Sequence, residues 1–296
     1  MKLPAATHKV NQPLKKIPFF LLLFYLLSLT AGCARFMAAK FSRPMQTTLE
    51  QQGDLELLYQ GIPSLLLLNE TLLADYPKAD DLLLNSVRAE SSYAELLEVY
   101  GQKARAAQHA AKAVQTACKL LDRSLALNGA CTADSELFTK AVTGAGKEKT
   151  GALFWSAAAM ATNMRLAGGA PAAAVLLPKA RTIMNRLAIV APSYYHGGPH
   201  IFLGTLYGML PPMLGGNPEK SRTHFEAALK INGRRFLLTQ VLYAESYARQ
   251  TMDRTLFEDL LREVLAADIK TPDLQAANAL AKKKASLLLQ DADQYF

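Results

Sequence analysis

The chain has 296 residues, half of them hydrophobic and a fifth charged, with 33 Lys and Arg against 25 Asp and Glu and a net charge of +8. Lys2, Lys9, Lys15 and Lys16 all precede the first acid, Glu50, so the chain beyond residue 32 carries only +4. Basicity is therefore largely an N-terminal feature, no Lys/Arg cluster is interleaved with aromatic residues, and a nucleic-acid-binding role is excluded.

The N-terminus reads as a secretory signal peptide. The four lysines lead into an apolar stretch over residues 17–29, followed by the small residues Thr30, Ala31 and Gly32 before Cys33. The apolar run is short for the roughly 20 residues a spanning helix needs. A cysteine directly after Ala-Gly resembles a bacterial lipobox, although Thr30 stands where Leu is usual. The resemblance implies cleavage before Cys33 and a diacylglycerol on its thiol. The expected organisation is a lipoprotein signal peptide over 1–32, the lipidated Cys33 and a linker over 33–49, and one domain over 50–296. Such a protein is tethered in the bacterial envelope and faces the periplasm. Ala34, where an Asp commonly causes inner-membrane retention, points to the outer membrane. The remaining 264 residues are enough for one substantial core or a short solenoid.

Beyond a linker and short helix over 34–56, nearly everything reads as helix. Segments are predicted at 64–73, 82–99, 102–127, 134–142, 148–166, 172–190, 198–210, 218–231, 235–250, 255–267 and 272–295. Phe257, Leu260, Leu261, Val264 and Leu265 recur at helical spacing, as one apolar stripe does. The Ala-rich segment after residue 102 allows close helix packing. Thr271-Pro272-Asp273 offers a cap, a first-turn proline and an acid to the last helix. Sustained alternation of apolar and polar residues, the mark of a half-buried strand, is absent. Cys118 and Cys131 flank the Asn128-Gly129 turn, and a disulfide joins them only if that turn brings their Cα atoms within about 7 Å; two buried thiols are the alternative. Lys282-Lys283-Lys284 reads as a solvated helix face.

Helical pairs at a spacing of about 34–40 residues call for a search for repeats. Leu203-Gly204-x-x-Tyr207 is similar to the first-helix pattern of a tetratricopeptide repeat, and Ser221-x-x-x-Phe225-x-x-Ala228 to the second. Small residues let paired helices approach and aromatics fill the gap between them. An enlarged connection holds Pro211-Pro212 and Gly215-Gly216. Tyr243-Ala244-x-x-Tyr247 with Phe257-x-x-x-Leu261-x-x-Val264 forms a similar unit, and Ala180, Met184, Leu187 and Pro192 fit the second half of an earlier one. The expected fold is all-α, with tetratricopeptide-like helical-hairpin repeats forming a compact solenoid.

These residues carry a family resemblance. Tyr194-Tyr195-His196-Gly197-Gly198-Pro199-His200, Leu203-Gly204-x-x-Tyr207, Pro211-Pro212, Gly215-Gly216-Asn217-Pro218-Glu219-Lys220-Ser221 and His224-Phe225-Glu226-x-Ala228-Leu229 resemble the T-component of tripartite ATP-independent periplasmic (TRAP) transporters. Gly61-Ile62-Pro63, Trp155-Ser156-Ala157, Asp253-Arg254-x-x-Phe257 and the terminal Tyr295-Phe296 agree. The likeness spans about residues 50–296, with residues 197–229 the most specific part and 128–150 the least. It implies a lipid-anchored, tetratricopeptide-like helical protein that associates with the periplasmic solute-binding protein of a TRAP transporter.

Enzyme signatures do not emerge. There is no Gly-x-Ser-x-Gly elbow. Gly144-Ala145-Gly146-Lys147 lacks the leading Gly and the trailing Ser or Thr of a phosphate loop, since Ala141 and Glu148 occupy those places. His196 and His200 stand four apart, a metal-ligand spacing, but Gly197-Gly198-Pro199 interrupts any single helix between them. Neither metal nor cofactor is expected. Candidate ligand- or partner-binding residues are Trp155, Tyr194, Tyr195, His196, His200, Tyr207, Pro211, Pro212, Gly215 and Gly216; Tyr194, Tyr195, Tyr207, Met209, Pro211, Pro212 and Met213 form the chain's richest aromatic, Pro and Met concentration. The expected role is an accessory of a TRAP-type importer that docks the solute-binding protein and holds or passes a small organic or hydrophobic ligand. A general envelope scaffold binding peptide segments through its repeats is the alternative, and a homo-oligomer is left open.

Overall fold

The computed structural model describes residues 46–168 and 175–296. The expected signal peptide over 1–32, Cys33 and most of the linker lie outside the described residues. Among those described, all regular secondary structure is helical and no strand occurs. In order the helices are α1 (Leu55–Asp75), α2 (Asp80–Val99), α3 (Lys103–Ser124), α4 (Ser135–Gly144), α5 (Thr150–Leu166), α6 (Leu177–Val190), α7 (Tyr194–Met209), α8 (Pro218–Asn232), α9 (Leu238–Tyr243), α10 (Arg254–Ala266) and α11 (Gln275–Gln290).

Local chemistry sets most boundaries. The Asp54, Asp134, Asn217 and Asp253 side chains each accept hydrogen bonds from first-turn amides of α1, α4, α8 and α10. Pro218 occupies the first turn of α8, where its missing N–H costs nothing, and Gly233 ends that helix in a left-handed conformation. Several boundaries differ from the sequence reading, and two of them show why. Helix α1 begins at Leu55 and runs through Pro63, because the stripe Leu58, Ile62, Leu66 continues on one buried face across the proline. Helix α11 begins only at Gln275, with no side-chain cap. Asp273 is instead held at φ 64° and accepts a 2.8 Å hydrogen bond from Gln51, a partner 222 residues away.

Packing follows chain order. Helix α1 lies on α2, α2 on α3, α3 on α5, α5 on α6, α6 on α7 and α7 on α8; α10 packs on α11, and α11 returns to touch α1 and α2. Ala106, Ala110, Ala113 and Ala117 form a fully buried face on α3, which is how the Ala-rich helix comes close to its neighbours. One core gathers Leu120, Leu121, Phe154, Met160, Ile183, Met184 and Leu203; a second gathers Phe225, Phe236, Val241, Phe257, Leu261 and Val264. Tyr195 packs against both. The α10 stripe is as read, except that Leu265 is exposed.

Cys118 and Cys131 are joined in a disulfide with Cα atoms 5.6 Å apart, tying the loop after α3 back to that helix. Replacing both by serine is expected to cost about 3 kcal/mol, the value typical for a loop of this length. Denaturant unfolding of wild type and double variant, each with and without reductant, measures it; the reductant should destabilise only the wild type.

Candidate functional site

Helices α7 and α8 pack unusually closely. Ser221 Oγ donates a 2.7 Å hydrogen bond to the Gly204 carbonyl. A Cβ on Gly204 would lie 2.9 Å from the Phe225 ring, and one on Gly208 would lie 2.8 Å from Ser221 Oγ. The motif residues Gly204, Ser221, Phe225 and Ala228 thus meet along one helix contact.

The start of α7 is strained. Tyr195 (φ 44°, ψ 58°), His196 (φ 60°, ψ 32°) and Gly197 (φ 86°, ψ 20°) form one left-handed turn before the regular helix begins. For residues with a Cβ this conformation costs roughly 1–2 kcal/mol each. Three contacts hold it. Asn232 Nδ2 donates to the His196 carbonyl at 3.1 Å and to Thr239 Oγ1 at 2.9 Å, while Asn232 Oδ1 accepts from Arg234 N at 2.9 Å. Gly197 lies against Ala228, where an added Cβ would come within 3.3 Å of the Ala228 Cα. Gly198 lies under Phe154, where an added Cβ would come within 2.5 Å of the ring. Strain maintained by its surroundings is a mark of functional sites.

The turn presents its rings to an aromatic cluster. Trp155 meets Phe154 and Tyr195 edge to face, with centroids at 5.4 and 4.8 Å. Tyr195 also contacts Phe236 at 5.6 Å, and His196 stacks on Phe236 at 5.0 Å. The Arg88 guanidinium sits 4.8 Å from the Trp155 ring centroid and pairs with Glu50 at 2.9 Å. Burial pushes the Tyr195 hydroxyl up to about 12 and lowers His196, in which the nearby Glu50 and Asp273 charges oppose burial and Arg235 adds to it.

The sequence-predicted residues fall into three places. Trp155, Tyr194, Tyr195 and His196 share the aromatic cluster. His200 and Tyr207 lie further along α7 with His224 of α8: His200 Nδ1 is 3.0 Å from His224 Nδ1, and the Tyr207 ring stacks on His224 at 5.8 Å and 12°. Pro211, Pro212, Gly215 and Gly216 form the α7–α8 connection, with a single 3-10 turn over Pro212–Leu214. Gly215 has φ 90°, and an added Cβ on Gly216 would lie 1.7 Å from the Leu210 carbonyl oxygen, so the loop is folded tightly on itself. Its tip exposes Met213 (89%) and Leu214 (64%). Burial lowers both imidazoles of the histidine pair, His224 to about 4 with help from the His200 and Lys220 charges.

Sequence reasoning did not place Arg88, Glu50 or Phe236 in the site: Phe236 stands in Arg235-Phe236-Leu237, a stretch that fits the family resemblance, while no local pattern marks Arg88 or Glu50. It also misread Lys284. That residue is only 8% exposed and sits against Glu95 and Glu98 of α2, which Arg165 of α5 also bridges. Lys283 alone of the run is exposed, while Lys282 is half-buried and donates to the Leu265 carbonyl at 2.8 Å.

A sequence profile of the TRAP transporter T-component matches residues 51–296. The chain belongs to this family. The match takes in every described helix from α1 to α11 and the whole α7–α8 signature, so the T-component resemblance read from the sequence is established. The TRAP T-component is an accessory part of a transporter and not a known enzyme family. No curated protein matches the chain. Among the described residues no helix is long and apolar enough to cross a membrane.

Proposed function

We propose that this T-component is a lipid-anchored periplasmic lipoprotein that docks the solute-binding protein of a TRAP-type importer and holds or passes a small organic or hydrophobic solute. The family match over residues 51–296 is the observation that carries the reading. The anchor is Cys33, reached after removal of residues 1–32, with the outer membrane as its seat. The helical pairs act as tetratricopeptide-like repeats in a compact solenoid, a reading supported by the Gly204–Phe225 and Gly197–Ala228 contacts between α7 and α8.

Two surfaces divide the work. The 211–216 loop is the docking element, because it offers Met213 and Leu214 to solvent on a backbone fixed by Gly216 and by the Asn217 N to Tyr207 carbonyl hydrogen bond at 2.9 Å. Exposed apolar groups on a rigid loop suit partner binding. The partly exposed Tyr194, Tyr195 and His196, backed by the buried Trp155 and Phe236, are the solute-facing element, since they place rings beside the Arg88 cation.

Titrating the purified protein with a TRAP solute-binding protein from the same organism tests the docking. A complex is expected, with Met213→Asp/Leu214→Asp weakening it at least about tenfold, the loss of roughly 1.4 kcal/mol that interface anchors commonly exceed. Absence of any complex with wild type would turn the reading toward a general envelope scaffold.

A further inference from the structure

We propose that the outward face of α1 is a lipid-contacting surface, which lies in the headgroup boundary of a phospholipid bilayer and orients the domain on the membrane. The inference rests on the Cys33 anchor proposed above and goes beyond it, since an acyl anchor on a linker leaves the domain free to turn.

Helix α1 is apolar on both sides. Leu58, Ile62 and Leu66 face the domain, whereas Leu57, Leu67 and Leu68 are 54%, 65% and 45% exposed. Helical spacing sets these three opposite the buried stripe, on one side with the exposed Gln60, Ser64 and Thr71. From Leu57 to Ala74 the sole charged residue is Glu70, which is half-buried and paired with Lys112 of α3. The outward side of α10, by contrast, carries Arg254, Asp259 and Arg262. The first helix of a stacked array ordinarily shows water a polar face, and α1 shows leucine.

Two features select lipid over protein. The face is small: Leu57 to Leu68 covers about 17 Å of a helix about 10 Å wide, roughly 200 Å², where a stable dimer takes about 800 Å² from each partner. It is also the first long helix after the anchor. Leu55 stands 22 residues beyond Cys33, and the chain between them carries Arg35, Lys40 and Arg43 with no acid before Glu50. Cations beside an acyl anchor are drawn to anionic headgroups and keep the start of the domain near the bilayer. Leucines on an uncharged face suit insertion to about 5–10 Å, the boundary between headgroups and acyl chains. Helix α1 is not long and apolar enough to cross a membrane, and its other side is committed to α2, so it lies on the surface.

The test uses the full chain, matured in a bacterial envelope, purified in detergent and reconstituted into phosphatidylethanolamine–phosphatidylglycerol vesicles with plain or brominated acyl chains. Flotation with the vesicles reads the anchor, and bromine quenching of tryptophan reads α1. Leu67→Trp should lose emission in brominated relative to plain vesicles, most with bromines nearest the headgroups. Wild type, whose Trp155 is buried, and Ile189→Trp, at an exposed apolar position of α6, should lose none. Adding Leu57→Glu and Leu68→Glu to Leu67→Trp should abolish the loss, with circular dichroism showing that the variant stays folded. Flotation without quenching at residue 67 would overturn the proposal and leave the anchor standing; failure to float would overturn both. Blue-shifted but unquenched emission would give the face to a second copy or another protein, and equal quenching at residues 67 and 189 would mean unspecific adsorption; either result also overturns the proposal.

Discussion

Lys284→Ala is expected to lower folding stability by about 3–5 kcal/mol, the loss typical when one member of a buried ion cluster is removed. Lys284 is the contact through which α11 reaches the Glu95 and Glu98 carboxylates, 189 and 186 residues away. Arg165 alone would then face both acids. For a domain of this size each kcal/mol corresponds to roughly 2–4 °C in thermal midpoint, so the change is large in a melting curve. Lys283→Ala, on the exposed neighbour, should stay within about 0.5 kcal/mol. Equal effects from the two lysines would show that the cluster is not the tie described.

The same cluster has a pH signature. Burial pushes the Glu95 carboxyl up, but the Arg165 and Lys284 charges outweigh it and hold it at about 2, against 4.5 ordinarily. A carboxyl depressed in the folded state adds stability that is present above pH 4.5 and lost as pH falls toward 2. In Lys284→Ala one of the two balancing cations is gone, so the Glu95 carboxyl is held down less and the acid-dependent loss of stability should be smaller, and complete at higher pH, than in wild type.

Asn232→Ala is the second large effect, at about 2–4 kcal/mol. The substitution removes the donor to the His196 carbonyl and to Thr239 and the acceptor for Arg234 N, all in a position only 6% exposed. It also releases the left-handed turn, whose Tyr195 and His196 then have less to offset their strain. Denaturant unfolding gives the stability. Fluorescence gives the mechanism: Trp155 is the only tryptophan, Tyr195 covers it at 4.8 Å, and relaxation of the turn should red-shift its emission. A destabilised variant with unshifted emission would mean that the turn keeps its shape without Asn232.

Much of the fold was legible because helices announce themselves locally. The stripe Phe257, Leu260, Leu261, Val264, the Asn217-Pro218 start of α8 and the small residues Gly204 and Ser221 each act within a few turns of chain. Reading failed where distant contacts outweighed local signals. Thr271-Pro272-Asp273 looks like a helix start, yet Asp273 pairs with Gln51 and α11 begins after it. Pro63 looks like a boundary, yet the burial of Ile62 and Leu66 carries α1 through it. Of the candidate site, the aromatic residues around Tyr194 and the Pro/Gly loop stood out by composition. Arg88, Glu50 and Phe236 did not, because they come from separate helices and loops and share no motif.

The sequence by itself determined the helical class, the family and the α7–α8 signature, since these rest on residue types at short spacing. The tertiary structure alone decided which lysine of Lys282-Lys283-Lys284 is buried, which histidine partners His200, and that Tyr195 and His196 adopt left-handed backbone. The physical reason is common to all three: each is fixed by groups 24 to 189 residues away, where His224, Asn232 and Glu95 supply the interactions that local preference does not encode.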